Sequence, residues 1–268
     1  MIHFRQRVWG IFLLALIALL PSFFSACKSR DQNTLVVGMD LSYPPFETID
    51  SSGKPQGVSV DLAEALGKFL GKPVLIENIP FTGLIPSLKT DKIDCVISSM
   101  TDTAERRASI AFSDPYLSTG LALLIARDST IENLQDLDQA GKTLAVRQGT
   151  TGEVWAHANI KNAKILALDK ESAAVLEVIQ GRADAFLYDQ MSIWKNAQEH
   201  PDKTRALLKP LQKEFWAVAL RHDEVELRNQ INAFLNSYRA GGGFEALGEK
   251  YLSDQKAAFK AQGIPFYF

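Results

Sequence analysis

Cysteine is nearly absent from this chain: Cys27 and Cys95 are the only two in 268 residues, so a disulfide framework is excluded as the basis of the fold. Histidine is scarce as well. His157, His200 and His222 stand apart, with no spacing that would gather metal ligands, so neither a metal nor another cofactor is expected. The net charge is only −2, and no lysine or arginine run occurs beyond the N-terminal few residues. Trp155, Trp194 and Trp216 carry no basic interleaving, which removes nucleic acid from the list of partners. Long apolar runs are missing too. The strongest, 11-IFLLALIALL-20, is too short to span a bilayer as a helix.

What is present begins with that run. Arg5 and Arg7 precede it and 24-FSAC-27 follows, the order of an export signal over residues 1–26 that is no part of the fold. The tetrapeptide resembles the lipobox of bacterial lipoproteins, in which the cysteine becomes the acylated first residue of the mature chain. Phe24 departs from the usual Leu, and a plain secretory signal cut near Ala26 is the alternative. On the lipoprotein reading, Cys27 carries palmitate and residues 27–33 form a tether to a membrane of the cell envelope. Cys95 then has no partner thiol. Inside the apolar 93-IDCVIS-98, with no cationic neighbour to lower its pKa, it reads as a small buried hydrophobe.

Beyond the tether, 46% hydrophobic residues suffice for a sizeable core, and the pattern alternates. The spacing predicts strands at 35–40, 74–79 and 93–98 and helices at 60–70 and 83–90, a βαβαβ succession with a parallel sheet. A second such unit follows: a short helix near 132–138, strands at 143–146, 164–168 and 184–188, and helices from Thr151 and over 171–182. Residues 224–252 read as two helices separated by 241-GGG-243, a stop and turn, not a phosphate loop, because no strand precedes it.

Ligands of open α/β sheets gather at the carboxyl ends of the strands. Those positions hold Asp40 and 43-YPPFE-47, then 80-PFTG-83, then 98-SSMTDTAER-106, and in the second unit 147-RQGTTGE-153 and Asp189. Aromatic walls, hydroxyls, a guanidinium and carboxylates together suit a small zwitterion. Arg106 poses a question of its own. It falls in the first turn of an expected helix starting at Thr103, where the dipole repels a cation, so a negative partner is required. Glu105, a distant carboxylate and a ligand anion are the candidates.

The stretches 35-LVVGMDLSYPPFE-47, 57-GVSVDLAEALGK-68, 83-GLIPSLKTDKIDCVISSMTDTAERR-107, 111-AFSDPY-116, 146-VRQGTT-151 and 181-GRADAFLYD-189 resemble, in order, the bacterial solute-binding proteins of the polar amino-acid ABC-transporter type, family 3. The resemblance implies a two-lobed periplasmic-binding-protein fold of type II. Each lobe is α/β, a mostly parallel sheet flanked by helices, with lobe 1 at 34–118 plus 217–268 and lobe 2 at 119–216. It also implies a non-enzyme, expected as a monomer, that takes a free polar L-amino acid between the lobes and hands it to the transmembrane subunits of an ABC permease. Glutamine or a basic amino acid is favoured.

Carried over position by position, the resemblance assigns the ligand carboxylate to Arg106, aided by Ser99, Thr101 and Thr151, and the ammonium to Asp189. Tyr43 and Phe81 would sandwich the side chain, with Asp40 and Arg147 tuning its choice. Bland readings stand beside these: Asp189 as the N-cap of a helix after it, Tyr43 and Phe81 as core aromatics, Asp40 and Arg147 as partners of each other. Ser59, Ala104 and Trp216 depart from the family pattern, where Asp, Pro and Gly are usual. Ser59 weakens the case for a strictly cationic ligand, and Trp216 puts the pocket or hinge shape in question. The alternative is an enzyme like cyclohexadienyl dehydratase on the same scaffold, with Glu153 as its general acid. A fused sensor or lytic module is not expected in a chain ending at Phe268.

Overall fold

The computed structural model describes residues 33–265 and Phe268; the export signal and Cys27 lie outside the described residues. Its strands are β1 Leu35–Met39, β2 Thr48–Ile49, β3 Pro55–Gln56, β4 Val74–Asn78, β5 Cys95–Val96, β6 Ala111–Ala126, β7 Thr143–Arg147, β8 Lys164–Leu168, β9 Ala185–Asp189 and β10 Thr204–Leu220. Apart from the β2–β3 pair, they form one sheet in the order β4-β1-β5-β10-β6-β9-β7-β8.

Two blocks within that sheet repeat one plan. β1 lies between β4 and β5, parallel to both, and β7 lies between β8 and β9, again parallel to both. In each block a helix follows the first and second strands: Val58–Leu70 and Phe81–Lys89 in one, Thr151–Asn159 and Glu171–Ile179 in the other. Both expected βαβαβ units are therefore present. Central strands of this kind are covered on both faces, which is why 35-LVVGM-39 is buried throughout. Its alternate side chains serve different cores: Val37 and Met39 join one cluster, Val36 another. β7 divides likewise, with Ala145 in the first cluster and Leu144 and Val146 in a third.

The long strands β6 and β10 bind the blocks together. They pair antiparallel from Thr204↔Ala126 to Leu220↔Ala111, interrupted by irregularities near Leu207/Gln212 and around Trp216–Ala219. β10 then meets β5 through Ala219↔Val96, and β6 meets β9 from Leu121↔Asp189 to Ile125↔Ala185.

Several details depart from the sequence reading. The strand expected over 93–98 is regular only at Cys95–Val96, because the chain turns away at Ser99, whose φ is +49°. Cys95 itself is fully buried, as expected. The C-terminal helices Val225–Ala240 and Gly243–Tyr251 are separated at Gly242, whose φ of +75° suits a residue without Cβ. A further helix, Ser253–Ala261, had no clear signal in the sequence. It packs on helix Gln190–Glu199, where the Gln255 side-chain amide donates to the Met191 carbonyl at 2.7 Å. Among the described residues no helix is long and apolar enough to cross a membrane.

Candidate functional site

The loops leaving β1, β4, β5, β7 and β9 converge on one cavity, with about 420 Å³ of space free of atoms, part of it open to solvent. Asp40, Tyr43, Phe81, Ser99, Thr101, Arg106, Arg147, Thr151 and Asp189, every ligand-binding residue expected from sequence, line it. Chain separations of more than a hundred residues are bridged here by direct side-chain bonds.

Arg106 sits in a single helical turn, Ala104–Arg107, whose N-cap Thr103 accepts the Arg106 backbone N–H at 3.2 Å. The dipole conflict inferred from sequence is therefore small, since one turn sums few peptide dipoles and Arg106 lies in its last turn. Its guanidinium points elsewhere. Nη1 donates to the Thr101 carbonyl at 2.7 Å and Nη2 to the Gly149 carbonyl at 3.1 Å. Both acceptors are neutral, and among the described residues no carboxylate lies within ion-pair distance. Burial pushes its pKa down, opposed by the charges of Glu214 and Glu105. Arg107, by contrast, is paired with Asp102 at 2.5 Å.

Asp189 ends β9 and caps the helix Gln190–Glu199, so the N-cap reading is realised: Oδ1 accepts the N–H groups of Met191 at 3.0 Å and Ser192 at 3.1 Å. The Tyr43 hydroxyl donates to the same oxygen at 2.7 Å. No described donor reaches Oδ2. Burial pushes the Asp189 pKa up to about 7, against the hydrogen bonds that favour the anion. A carboxylate held so far from water gains most from a cation brought to its open oxygen.

Asp40 and Arg147 do bond to each other, through Oδ2 and Nη2, with side chains 11% and 4% exposed. Asp40 also accepts the Ser42 hydroxyl at 2.6 Å and the Phe81 N–H at 2.9 Å. Arg147 donates from Nη1 to the Tyr188 hydroxyl at 3.2 Å. The Phe81 ring has two guanidinium neighbours, with Cζ of Arg106 at 5.5 Å and Cζ of Arg147 at 5.6 Å from its centroid. Tyr43 is buried: its ring stacks on Phe46 at 5.4 Å and meets Trp216 and Tyr188 edge-on.

Two acids in the lining were passed over in the sequence. Glu47 accepts hydroxyls of Ser59 at 2.6 Å, Ser99 at 3.1 Å and Ser98 at 3.2 Å, and burial pushes its pKa up to about 8. Ser59 thus acts on the cavity through Glu47. Glu214 accepts the Thr101 hydroxyl at 3.1 Å and is bonded by Thr151 and Gln212; burial raises its pKa. A weak signal existed for Glu47, which follows the aromatic 43-YPPF-46; Glu214 lies between the exposed Lys213 and Phe215 and carried none. Trp216, the departure noted in sequence, is a wall of the cavity. Glu153 is not: its carboxylate accepts the Gly149 N–H at 2.7 Å.

Residues 35–254 match the family described as bacterial extracellular solute-binding proteins, family 3. The L-cystine-binding protein TcyJ of Escherichia coli (strain K12) is 29% identical over 92% of this chain and 95% of its own length. The ABC transporter arginine-binding protein 1 of the same strain is 30% identical, over 89% of this chain and 98% of its own. Among solved structures, an ancestral amino acid-binding protein, a precursor of cyclohexadienyl dehydratase, superposes with a TM-score of 0.76 at 34% identity, covering 82% of this chain and 95% of that one. With its two repeated α/β blocks and a cavity where their strand ends meet, the chain belongs to the bacterial extracellular solute-binding proteins, family 3, and has their two-lobed type II fold.

Proposed function

We propose that this chain is the substrate-binding component of an ABC importer and captures a free polar L-amino acid by closure of two lobes, residues 34–118 plus 217–268 and residues 119–216. The observation that carries the reading is the pair of unmet charges facing one cavity. Among the described residues the Arg106 guanidinium hydrogen-bonds only carbonyls, and the Asp189 carboxylate has one oxygen without a described donor. An amino-acid head group supplies what each lacks: a carboxylate for Arg106, an ammonium for Asp189. Glu214 lies near enough to both to act on each electrostatically.

Closure follows from which residues hold which group. Arg106 and Tyr43 come from the first lobe, Thr151 and Asp189 from the second, and the bonds Tyr43–Asp189, Arg147–Asp40 and Arg106–Gly149 run between them. A ligand gripped from both sides favours the closed form by its differential contacts. Delivery to permease subunits, anchorage through acylated Cys27 in the cell envelope and action as a monomer complete the proposal. Binding without catalysis is supported by Asp189, an ammonium acceptor, and by Glu153, which is engaged with Gly149 and does not line the cavity.

A thermal-shift screen of the twenty amino acids tests this reading. One or more polar L-amino acids should stabilise the protein, by roughly 2.7 kcal/mol at a hundred times Kd. No stabilisation by any of them would refute it.

A further inference from the structure

We infer that Arg147 fills the side-chain end of this cavity with the protein's own guanidinium, so that the site selects a neutral, dipolar side-chain terminus such as a carboxamide or ureido group and rejects arginine and lysine. The inference rests on the amino-acid-binding reading and narrows its ligand class.

Three observations carry it. First, Asp40 is already occupied: Oδ1 takes the Ser42 hydroxyl, and Oδ2 takes the Phe81 N–H and the Arg147 guanidinium. A ligand cation reaching Asp40 would have to displace Arg147, leaving a buried charge unpaired. Second, the Phe81 ring already has two guanidinium groups within 5.6 Å of its centroid, so a third cation would meet like charge there. Third, Arg147 is 3% exposed, yet its Nε–H has no hydrogen-bond partner among the described residues.

Asp40 and Arg147 cancel each other's charge, so a terminus of either sign adds an uncompensated charge beside these buried groups. A dipolar neutral terminus adds none. Its carbonyl can accept from Arg147 while its N–H donates to the Tyr188 oxygen. Basic side chains, favoured from sequence beside glutamine, are thereby set aside.

Citrulline and arginine form the decisive pair of probes, matched in length and shape but differing in charge. Calorimetric titration of the full mature chain should give glutamine or citrulline a Kd at least tenfold below that of arginine, lysine or glutamate. Arg147→Leu should free Asp40 and move the arginine-to-citrulline ratio at least tenfold towards arginine. Should that variant not fold, the double variant Asp40→Asn, Arg147→Gln should bring arginine and citrulline within threefold of each other. Tighter binding of arginine than of citrulline by the wild type, preference for an aliphatic amino acid such as leucine, or a ratio unmoved in the variants would each overturn the inference while leaving amino-acid binding intact. Binding of no amino acid at all would overturn both.

Discussion

Replacing Asp189 by Asn should raise the stability of the ligand-free protein and destroy its affinity, two effects of opposite sign from one atom. Asn keeps an oxygen to accept from Tyr43, Met191 and Ser192, so the cap survives, but the ionisable group is gone. The magnitude follows from linkage. The Asp189 pKa is raised from 3.8 to about 7 in the folded state, so the fold prefers the protonated acid and loses stability as pH climbs from 3.8 towards 7. The wild-type penalty is roughly 4 kcal/mol at pH 7.5, about 2 kcal/mol at pH 5, and vanishes below pH ~3. The Asp189→Asn variant should therefore gain most over wild type at pH 7.5, with a rise in Tm on the order of 5–15 °C, and visibly less at pH 5. Scanning calorimetry at the two values isolates the ionisation, because the difference between a protonated Asp cap and an Asn cap is the same at both. The same substitution leaves the ligand ammonium without its counter-charge and should cost about 2–5 kcal/mol of binding. A variant no more stable at pH 7.5 than at pH 5 relative to wild type, or one that binds within threefold of it, would refute the reasoning.

Two further expectations concern other parts of the chain. Cys27→Ser should release the protein from membranes, and labelled palmitate should enter the wild type alone; a variant that still fractionates with membranes contradicts the anchor. Gly149→Ala should weaken ligand binding at least tenfold, because φ is +75° there and a Cβ would stand 2.8 Å from Thr82 Cγ2 of the other block. Titration at unchanged far-ultraviolet dichroism checks this, and an unaltered Kd would show that the two loops need not approach so closely.

The alternating elements were legible because each strand and helix of the two blocks carries its own period: buried runs for β1, β7 and β9, and i, i+3, i+4 spacing for Val58–Leu70. β10 was harder. Only its end, 216-WAVAL-220, is continuously buried, and the earlier part, 209-KPLQKE-214, mixes charges and a proline, because there the strand pairs with β6 around a register shift. At the site, sequence position named residues that line one cavity but could not say what they already touch. That Arg147 is committed to Asp40, that Tyr43 spends its hydroxyl on Asp189, and that Arg106 rests on two carbonyls are facts of tertiary approach. Glu47 and Glu214 escaped notice for a related reason. Their chemistry lies in burial among hydroxyls from distant segments, Ser59, Ser98 and Thr101 among them, and burial of an acid is set by packing more than by its neighbours in the chain.

The central claim is that Arg106 and Asp189 face the cavity to receive an amino-acid head group, and one titration addresses it most directly. The amino acid that stabilises the wild type most is titrated into Arg106→Ala by calorimetry. Losing one partner of a buried, charge-assisted pair costs about 2–5 kcal/mol, so Kd should rise some 30-fold to several thousand-fold, by a similar factor for every amino acid the wild type accepts. An Arg106→Ala protein that binds within threefold of wild type would contradict the account.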